Sequence, residues 1–452
     1  MCLLLVVNNI VNNKNLWYNT NEKKMIDMKL MNVRGTDDFM PNDMVIRNKI
    51  LGVLRENFEK YGYSPIETPI INYYDLLSYK YGDGAEILSE IYRFKDQGDR
   101  DLGLRYDLTV PFCKVVGLNK DLVFPFRRYE IGKVFRNGPV KLGRTREFYQ
   151  CDVDVVGIDN RFIEAEQILM AINTYKSLGI DIIVKYNNRK LMSGIIKLVG
   201  INDDKRDSVI GIIDKLEKVS REELTEMLKN IGVTSEQINN LFDLFNKNIL
   251  EYQSLINSNE DINEGVSELL EINDYLDKLG ISDATEFSPT LARGLSIYTG
   301  IVFEFYDKLG RITSALGAGG RYNKIITDFM NNGQNYPSVG LSFGLEPIFV
   351  ILKEEMKKIR FIDIYMVPLD TNTDVLKLAT KFRENGYRVL VEMNKKKVGK
   401  CFEYAERENI KYVMIIGENE VNSGMYKIKD MDKKEEYSYK FDDLIEFLAE
   451  NL

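Results

Sequence analysis

One stretch of the chain leaves few choices of fold. Phe124–Arg136 reads as a strand, Asn137-Gly138-Pro139 opens a loop that Gly143 helps close, and Glu147–Val156 reads as the returning strand. Two long strands joined by a local loop pair antiparallel. Side chains alternate across a strand, so Arg146, Phe148, Gln150, Asp152 and Asp154 share one face, and Tyr149, Cys151 and Val153 the other. A face carrying Gln and two Asp is not a core face, because buried polar groups are costly unless paired or turned to a ligand. The pattern reads as a functional cleft on an antiparallel sheet; the competing reading is an exposed sheet face.

Other elements fit around this hairpin. Val45, Ile46, Ile50, Val53, Leu54 and Phe58 recur at helical spacing, which predicts a helix from Asn42, as N-cap, to Lys60. Tyr61-Gly62-Tyr63 ends it. Pro65 and Pro69 then hold Ser64–Ile71 extended. Ile91–Phe94 and Leu102–Arg105 read as further strands. From Arg189 to Asp283 aromatics thin out, and Lys, Glu, Asn, Leu and Ile dominate. Arg221–Asn230 and Ser235–Asn246 read there as amphipathic helices of a helical insertion. Strand signals return at Ser296–Tyr306, before Gly317-Ala318-Gly319-Gly320-Arg321-Tyr322 and an element near Gly340–Leu352. After Phe361 the pattern alternates. Strands at Ile362–Val367, Tyr387–Val391 and Tyr412–Ile416 enclose helices at Thr373–Glu384 and Val398–Arg407, which predicts a small sheet with crossover helices. The expected organisation is a loose tail over 1–28, a core over 29–188, the insertion over 189–283, a return to the core over 284–357, and a separate unit over 361–452.

Composition narrows the chemistry. The 452 residues include no histidine, which removes Ser-His-Asp and Cys-His catalysis, His metal ligands and His-based pH switching. Cys2, Cys113, Cys151 and Cys401 are scattered, so neither a zinc ribbon nor a disulfide framework is indicated, and a reducing cytoplasm is the simplest reading. The apolar run Met1–Val7 is too short to span a bilayer and lacks the flanks of a signal peptide. No later segment reaches transmembrane length. The formal net charge is −8, so a polyanion must find a local basic site. One exists: Arg127, Arg128, Lys133, Arg136, Lys141, Arg144 and Arg146 face only Glu130 and Glu147 in the same stretch. Arginine's planar fork suits phosphates, so this reversal points to an anionic ligand; a solvated hairpin rim is the alternative. Lys395-Lys396-Lys397 reads either as a contact for backbone phosphates or as a solvated loop.

The same residues carry a family resemblance. Phe135-Arg136-Asn137 through Gly143-Arg144-Thr145-Arg146-Glu147-Phe148-Tyr149-Gln150 resembles motif 2 of class II aminoacyl-tRNA synthetases, and more narrowly that of the histidyl-tRNA synthetases. Arg34-Gly35-Thr36-Asp37-Asp38-Phe39 resembles that family's amino-terminal segment. The helix and extended segment ending near Pro69 resemble motif 1, the dimer-forming element. Leu104-Arg105-Tyr106-Asp107-Leu108-Thr109-Val110-Pro111-Phe112 resembles the amino-group-binding segment. Leu291-Ala292-Arg293-Gly294-Leu295-Ser296-Ile297-Tyr298-Thr299-Gly300 and the glycine-rich stretch from Gly317 resemble two histidine-specific segments, and Gly340-Leu341-Ser342-Phe343-Gly344-Leu345-Glu346 resembles motif 3.

The resemblance implies an α/β fold of α+β character: an antiparallel six-stranded class II sheet flanked by helices, with a carboxy-terminal α/β anticodon-binding domain. It implies ATP-dependent ligation of histidine to tRNA(His) through histidyl-adenylate, by a cytoplasmic homodimer that meets no membrane. Val45, Ile46, Val53 and Phe58 would supply the dimer face. Arg136 and Arg293 would be catalytic, gripping the α-phosphate of ATP; Arg144 and Glu346 would complete the ATP site. Asp107, Thr109 and Gln150 would bind the α-amino group, Asp154 and Tyr298 the imidazole nitrogens, and Arg136 and Arg293 also contact histidine. Mg2+ would accompany ATP, with no protein-bound structural metal. Asp154 stands where the family usually has the longer Glu, Ser296 and Ile297 where it often has Asp and Tyr, and Pro347 where it has a phosphate-binding Arg. The rival implication is a weak or inactive paralogue, acting as a histidine-binding regulatory subunit or a sensor of uncharged tRNA.

Overall fold

The computed structural model describes residues 30–79, 86–140, 144–216, 219–292, 297–356 and 360–452. The helix at the amino-terminal end spans Pro41–Lys60, so Asn42, expected as its N-cap, is instead its second helical residue. Met40 is its extended N-cap, and Pro41 fits the first turn because the amide it lacks would have no helical partner. Gly62, at φ +77°, turns the chain out of the helix.

Among the described residues eleven strands follow before residue 350: β1 (Ser64–Pro65), β2 (Ile71–Tyr73), β3 (Arg93–Lys95), β4 (Asp101–Leu104), β5 (Phe126–Phe135), β6 (Glu147–Val156), β7 (Ile182–Asn188), β8 (Thr285–Phe287), β9 (Ile301–Asp307), β10 (Gly317–Arg321) and β11 (Ser338–Gly344). The large sheet has the order β1-β5-β6-β11-β10-β9-β7-β8. Every pairing from β5 through to β7 is antiparallel, so the six expected antiparallel strands are present. Short β1 and β8 extend them in parallel at the two edges. A smaller sheet, β2-β4-β3, stands beside it.

The apolar side of β6 makes the core. Cys151, Val153 and Val155 are buried with Ile50, Leu54 and Phe58 of the first helix and with Ile168 and Ala171 of the helix Phe162–Ser177. Residues between β7 and β8 form helices at Arg189–Leu198, Arg206–Ile213, Arg221–Asn230, Ser235–Phe245 and Glu260–Lys278. Capping boxes at Ser220/Glu223 and Thr234/Gln237 start two of them, where the periodicity placed them. Leu191, Leu224, Leu241 and Leu269 of this segment join the same apolar cluster as the sheet.

The carboxy-terminal unit has β12 (Ile364–Pro368), β13 (Val389–Val391), β14 (Tyr412–Ile416), β15 (Tyr426–Asp430) and β16 (Glu435–Tyr439), in the order β13-β12-β14-β15-β16. The three expected strands pair parallel, with helices Asn372–Glu384 and Val398–Arg407. The sequence reading missed the hairpin β15–β16 and the helix Phe441–Asn451. Lysine and glutamate crowd those strands, and only Ile428 and Asp430 are buried along β15. Cys113, Cys151 and Cys401 are buried and form no disulfide among the described residues. Among the described residues no helix is long and apolar enough to cross a membrane.

Arg321, at the end of β10, ties sheet to helix. It is 1% exposed, and its Nε and Nη2 donate to Glu164 at 2.7 and 2.9 Å. Nη1 and Nη2 also donate to the carbonyls of Ile158 and Asn160. Arg321→Ala strips the buried Glu164 carboxylate of both its short contacts and leaves it with Arg161 at 3.6 Å, so denaturant unfolding should show a loss of about 3–5 kcal/mol.

Candidate active site

A cavity of about 860 Å³ opens over the polar face of β6. It brings Asp107, Thr109, Arg136, Arg144, Gln150, Asp154 and Tyr298 together from segments far apart in the chain. Arg293 lies outside the described residues. Glu346 does not line the cavity.

Charges on β5 and β6 build the cavity floor. The register sets Arg128 opposite Asp154, Glu130 opposite Asp152, and Gly132 opposite Gln150. The Arg128 guanidinium is fully buried, 2.6 Å from Asp154 Oδ2 and 3.8 Å from Glu130 Oε2. It lies 4.3 Å from the centre of the Phe112 ring. Burial works against this charge, but Asp154, Asp152 and Glu130 outweigh it and raise the Arg128 pKa. Arg105 Nη1 holds the other Glu130 oxygen at 2.9 Å, and Thr68 donates to that same atom from its amide and its hydroxyl. Gly132 makes this possible: a Cβ there would collide with Arg105 Nη2. Tyr322 donates its hydroxyl to Asp154 Oδ1. Burial first, and Asp154 second, push the Tyr322 pKa far up, so the phenol keeps its proton.

Asp152 lines the cavity beside Asp154 and is 5% exposed. Burial pushes it up to about 7; Arg128 opposes, and Asp154 and Asp107 add to the rise. It was legible as a member of the polar face but received no role in the sequence reading.

The cations sort into two kinds. Arg127 pairs with Glu166 at 2.6 Å, Lys133 pairs with Glu147, and Arg128 lies in the floor. Arg146 Nε donates to the Gly138 carbonyl. Lys141 lies outside the described residues. Arg136 and Arg144 line the cavity. The Arg136 guanidinium sits 4.3 Å from the Tyr106 ring centre and 4.9 Å from that of Phe148, which fixes its plane. Glu90 accepts from the Tyr106 hydroxyl at 2.9 Å and from Arg144 Nη2 at 3.3 Å, steadying both. Asp107 Oδ1 accepts from the Val110 amide at 2.9 Å, which orients its carboxylate at the start of the helix Thr109–Leu118.

Glu346 is committed elsewhere. Arg47 of the first helix donates to it twice, at 2.6 and 3.0 Å, and stacks 3.8 Å from the Phe39 ring centre. This pair clamps the first helix to the helix Leu345–Glu355. Pro347, one residue on, does line the cavity. So do Asp214 and Lys215, just past the helix Arg206–Ile213, which the sequence reading did not single out. Asp214 Oδ1 accepts from the Ala292 amide at 3.2 Å, anchoring that segment beside the cavity.

Six antiparallel strands, a long hairpin whose polar face floors a cavity, and two fixed arginines within it are the core of a class II aminoacyl-tRNA synthetase. Comparison with known proteins narrows this. The histidyl-tRNA synthetase model matches residues 35–348, and the anticodon binding domain model matches residues 363–451. Histidine–tRNA ligase 1 of Bacillus thuringiensis subsp. konkukian is 42% identical over 426 residues, covering 93% of this chain and 100% of its own. Histidine–tRNA ligase 2 of Shouchella clausii is 43% identical over 416 residues, 91% of this chain and 98% of its own. The crystal structure of a Nostoc histidyl-tRNA synthetase superposes with a TM-score of 0.81 at 27% identity, covering 94% of this chain and 100% of that one. The chain belongs to the histidyl-tRNA synthetase family.

Gly340 on β11 faces Asp154 across the β6–β11 pairing, and a Cβ there would collide with Asp154 Oδ1. Gly340→Ala should therefore push Asp154 off Arg128 and Tyr322. Thermal unfolding should report a loss of about 1–3 kcal/mol, the usual cost of overpacking.

Proposed function

We propose that this chain activates histidine with ATP and transfers it to tRNA(His). The carrying observation is the polarity of one cavity: Arg136 and Arg144 share it with Asp107, Gln150, Asp154 and Tyr298. Cations suit a nucleotide's phosphates and a carboxylate, while acceptors suit an ammonium and a ring N–H. Arg136 bridges the α-phosphate and the histidine carboxylate, Arg144 meets the outer phosphates, and the family resemblance gives Arg293 a second grip on the α-phosphate. When the carboxylate attacks, pyrophosphate leaves, and these fixed cations hold the charge that builds on the phosphate oxygens. Mg2+ arrives with ATP as its counter-ion. A hydroxyl at the 3′ end of the tRNA then attacks the acyl carbon, the acyl–phosphate bond breaks, and AMP leaves with its phosphate taking the proton, so no protein histidine is needed.

Asp107, Thr109 and Gln150 hold the α-ammonium, and Asp154 and Tyr298 hold the imidazole. Asp154 already meets Arg128 and Tyr322, but a carboxylate has acceptor capacity beyond two contacts. The unit over 361–452 reads the anticodon stem, and 189–283 is an insertion in the catalytic core. We take the protein as a cytoplasmic homodimer. Ile46 and Phe58 are turned into the subunit's own core at 2% and 0% exposure, so the expected dimer face must be redrawn. Met44, Ile70, Ile71 and Tyr73 are the exposed apolar groups in that region. The regulatory reading gains no support, since both phosphate arginines stand in the cavity and the carboxy-terminal unit matches an anticodon-binding model.

Histidine-dependent ATP–pyrophosphate exchange tests the function. Exchange should be present in the purified protein; its absence at every ATP concentration, with histidine still bound, would hand the case to the regulatory reading. Asp154→Asn should weaken histidine binding by about 1.5–3 kcal/mol in calorimetry, the worth of a charge-assisted hydrogen bond.

Pro347 stands where the family resemblance puts a phosphate-binding Arg. A proline offers neither a side-chain donor nor a backbone N–H. Lys215 lines the same cavity, has no ion-pair partner among the described residues, and is the cation best placed to compensate; Lys324 does not line the cavity. Pro347→Arg should lower the KM for ATP in the exchange assay by roughly ten- to a hundredfold. An unchanged KM would show that the phosphates are already fully met.

A further inference from the structure

Asp152 takes no part in that chemistry as assigned, yet it stands between Gln150 and Asp154 on the cavity face of β6. It is 95% buried by its 5% exposure, and its Oδ1 has no hydrogen-bond partner among the described residues. Gln150 Oε1, the next acceptor along the same face, has none either. Two orphaned acceptors side by side in a cavity call for a donor from outside the protein.

The groups around Asp152 say what kind of donor. Glu130 lies opposite on β5 and Ser342 opposite on β11. Arg128, Asp154 and Asp107 act on it electrostatically. Arg128 is already engaged by Asp154 and Glu130, and Arg105 by Glu130. Asp107, Glu130, Asp152 and Asp154 thus outnumber the two guanidiniums beneath the cavity. A buried excess of carboxyl groups is satisfied either by protonation or by a cation. In the unliganded protein burial favours the first course, pushing Asp152 up to about 7 against Arg128 and a hydrogen bond from Ser342. A ligand with an ammonium group supplies the second, with three N–H donors for two waiting oxygens.

We propose that Asp152 is a specificity-determining residue that accepts a hydrogen bond from the α-ammonium of histidine, beside Gln150 Oε1, so that the substrate brings the cation this buried site lacks. The assignment rests on the cavity being the histidine site. Binding then draws Asp152 into its ionised form, so affinity rises with pH through about 7. The same group opposes the fold of the unliganded protein: its folded pKa is raised, so its contribution to stability is present at low pH and is lost as pH rises through about 7.

Asp152→Asn keeps the size and removes the charge. Calorimetry on the full chain should show histidine affinity at pH 8 falling roughly ten- to a hundredfold. Binding of 3-(imidazol-4-yl)propionate, which lacks the ammonium, should be equal in both proteins. The variant should lose the extra rise in histidine affinity that the wild type shows between about pH 6 and pH 8. Its unliganded melting temperature at pH 8 should match or exceed the wild type's, which separates this outcome from misfolding. If the variant binds histidine as tightly as the wild type, or loses as much affinity for the des-amino probe as for histidine, the proposal is overturned. If the wild type binds no histidine at all, the reading of the cavity itself fails, and the proposal with it.

Discussion

A guanidinium sealed from solvent holds this site together. Arg128 is 0% exposed, and a lone buried charge would be prohibitive. It persists because Asp154 and Glu130 face it, Arg105 and Thr68 complete Glu130, and the Phe112 ring covers its face. Removing one partner from such a set costs about 3–5 kcal/mol, because the other is left charged and unpaired. The network therefore fixes register as well as stability. Sliding β6 by one residue against β5 would turn Asp152 and Asp154 into the apolar core and bring Cys151 and Val153 to the cavity. The active surface and the strand pairing are one constraint.

That constraint explains which features were legible beforehand. Alternation along β6 follows from strand geometry alone, so the polar face with Gln150, Asp152 and Asp154 could be read without coordinates. The partners could not. Arg127, Arg128 and Lys133 look like Arg136 and Arg144 in sequence, yet they answer Glu166, Asp154 and Glu147. Glu166 is distant in sequence, so a count confined to the hairpin sees surplus positive charge where the fold has made pairs. Only long-range pairing separates structural from ligand-facing arginine.

Motif 3 fails to translate for a different reason. Glu346 and Pro347 are neighbours in the first turn of the helix Leu345–Glu355, and successive helical side chains point about 100° apart. One therefore reaches Arg47 while the next reaches the cavity. A motif read as a string gives both residues one destination, whereas a helix splits them. The Glu346 carboxylate instead joins the cavity wall to the first helix, and it lies within 3.5 Å of the Tyr149 amide on β6. A movement of the first helix would reach the floor strand through this carboxylate as well as through the shared apolar core.

The helix Leu345–Glu355 shows how the fold tolerates Pro347. In the first turn of a helix the missing proline N–H breaks no helical bond, so the fold accepts it there. What is lost is charge at the cavity wall. Lys215 enters that wall from a segment whose sequence gives no hint of proximity, and Asp214 anchors it to the backbone of Ala292, next to the stretch that carries Arg293. An ammonium on a flexible stem is a weaker phosphate ligand than a planar guanidinium, because it cannot bind in bidentate fashion. Its advantage is reach, because its four-carbon stem is flexible. The cavity thus combines a guanidinium held beside two rings, at Arg136, with an adjustable cation from another segment. That division suits a reaction in which one phosphate must stay fixed while the others depart.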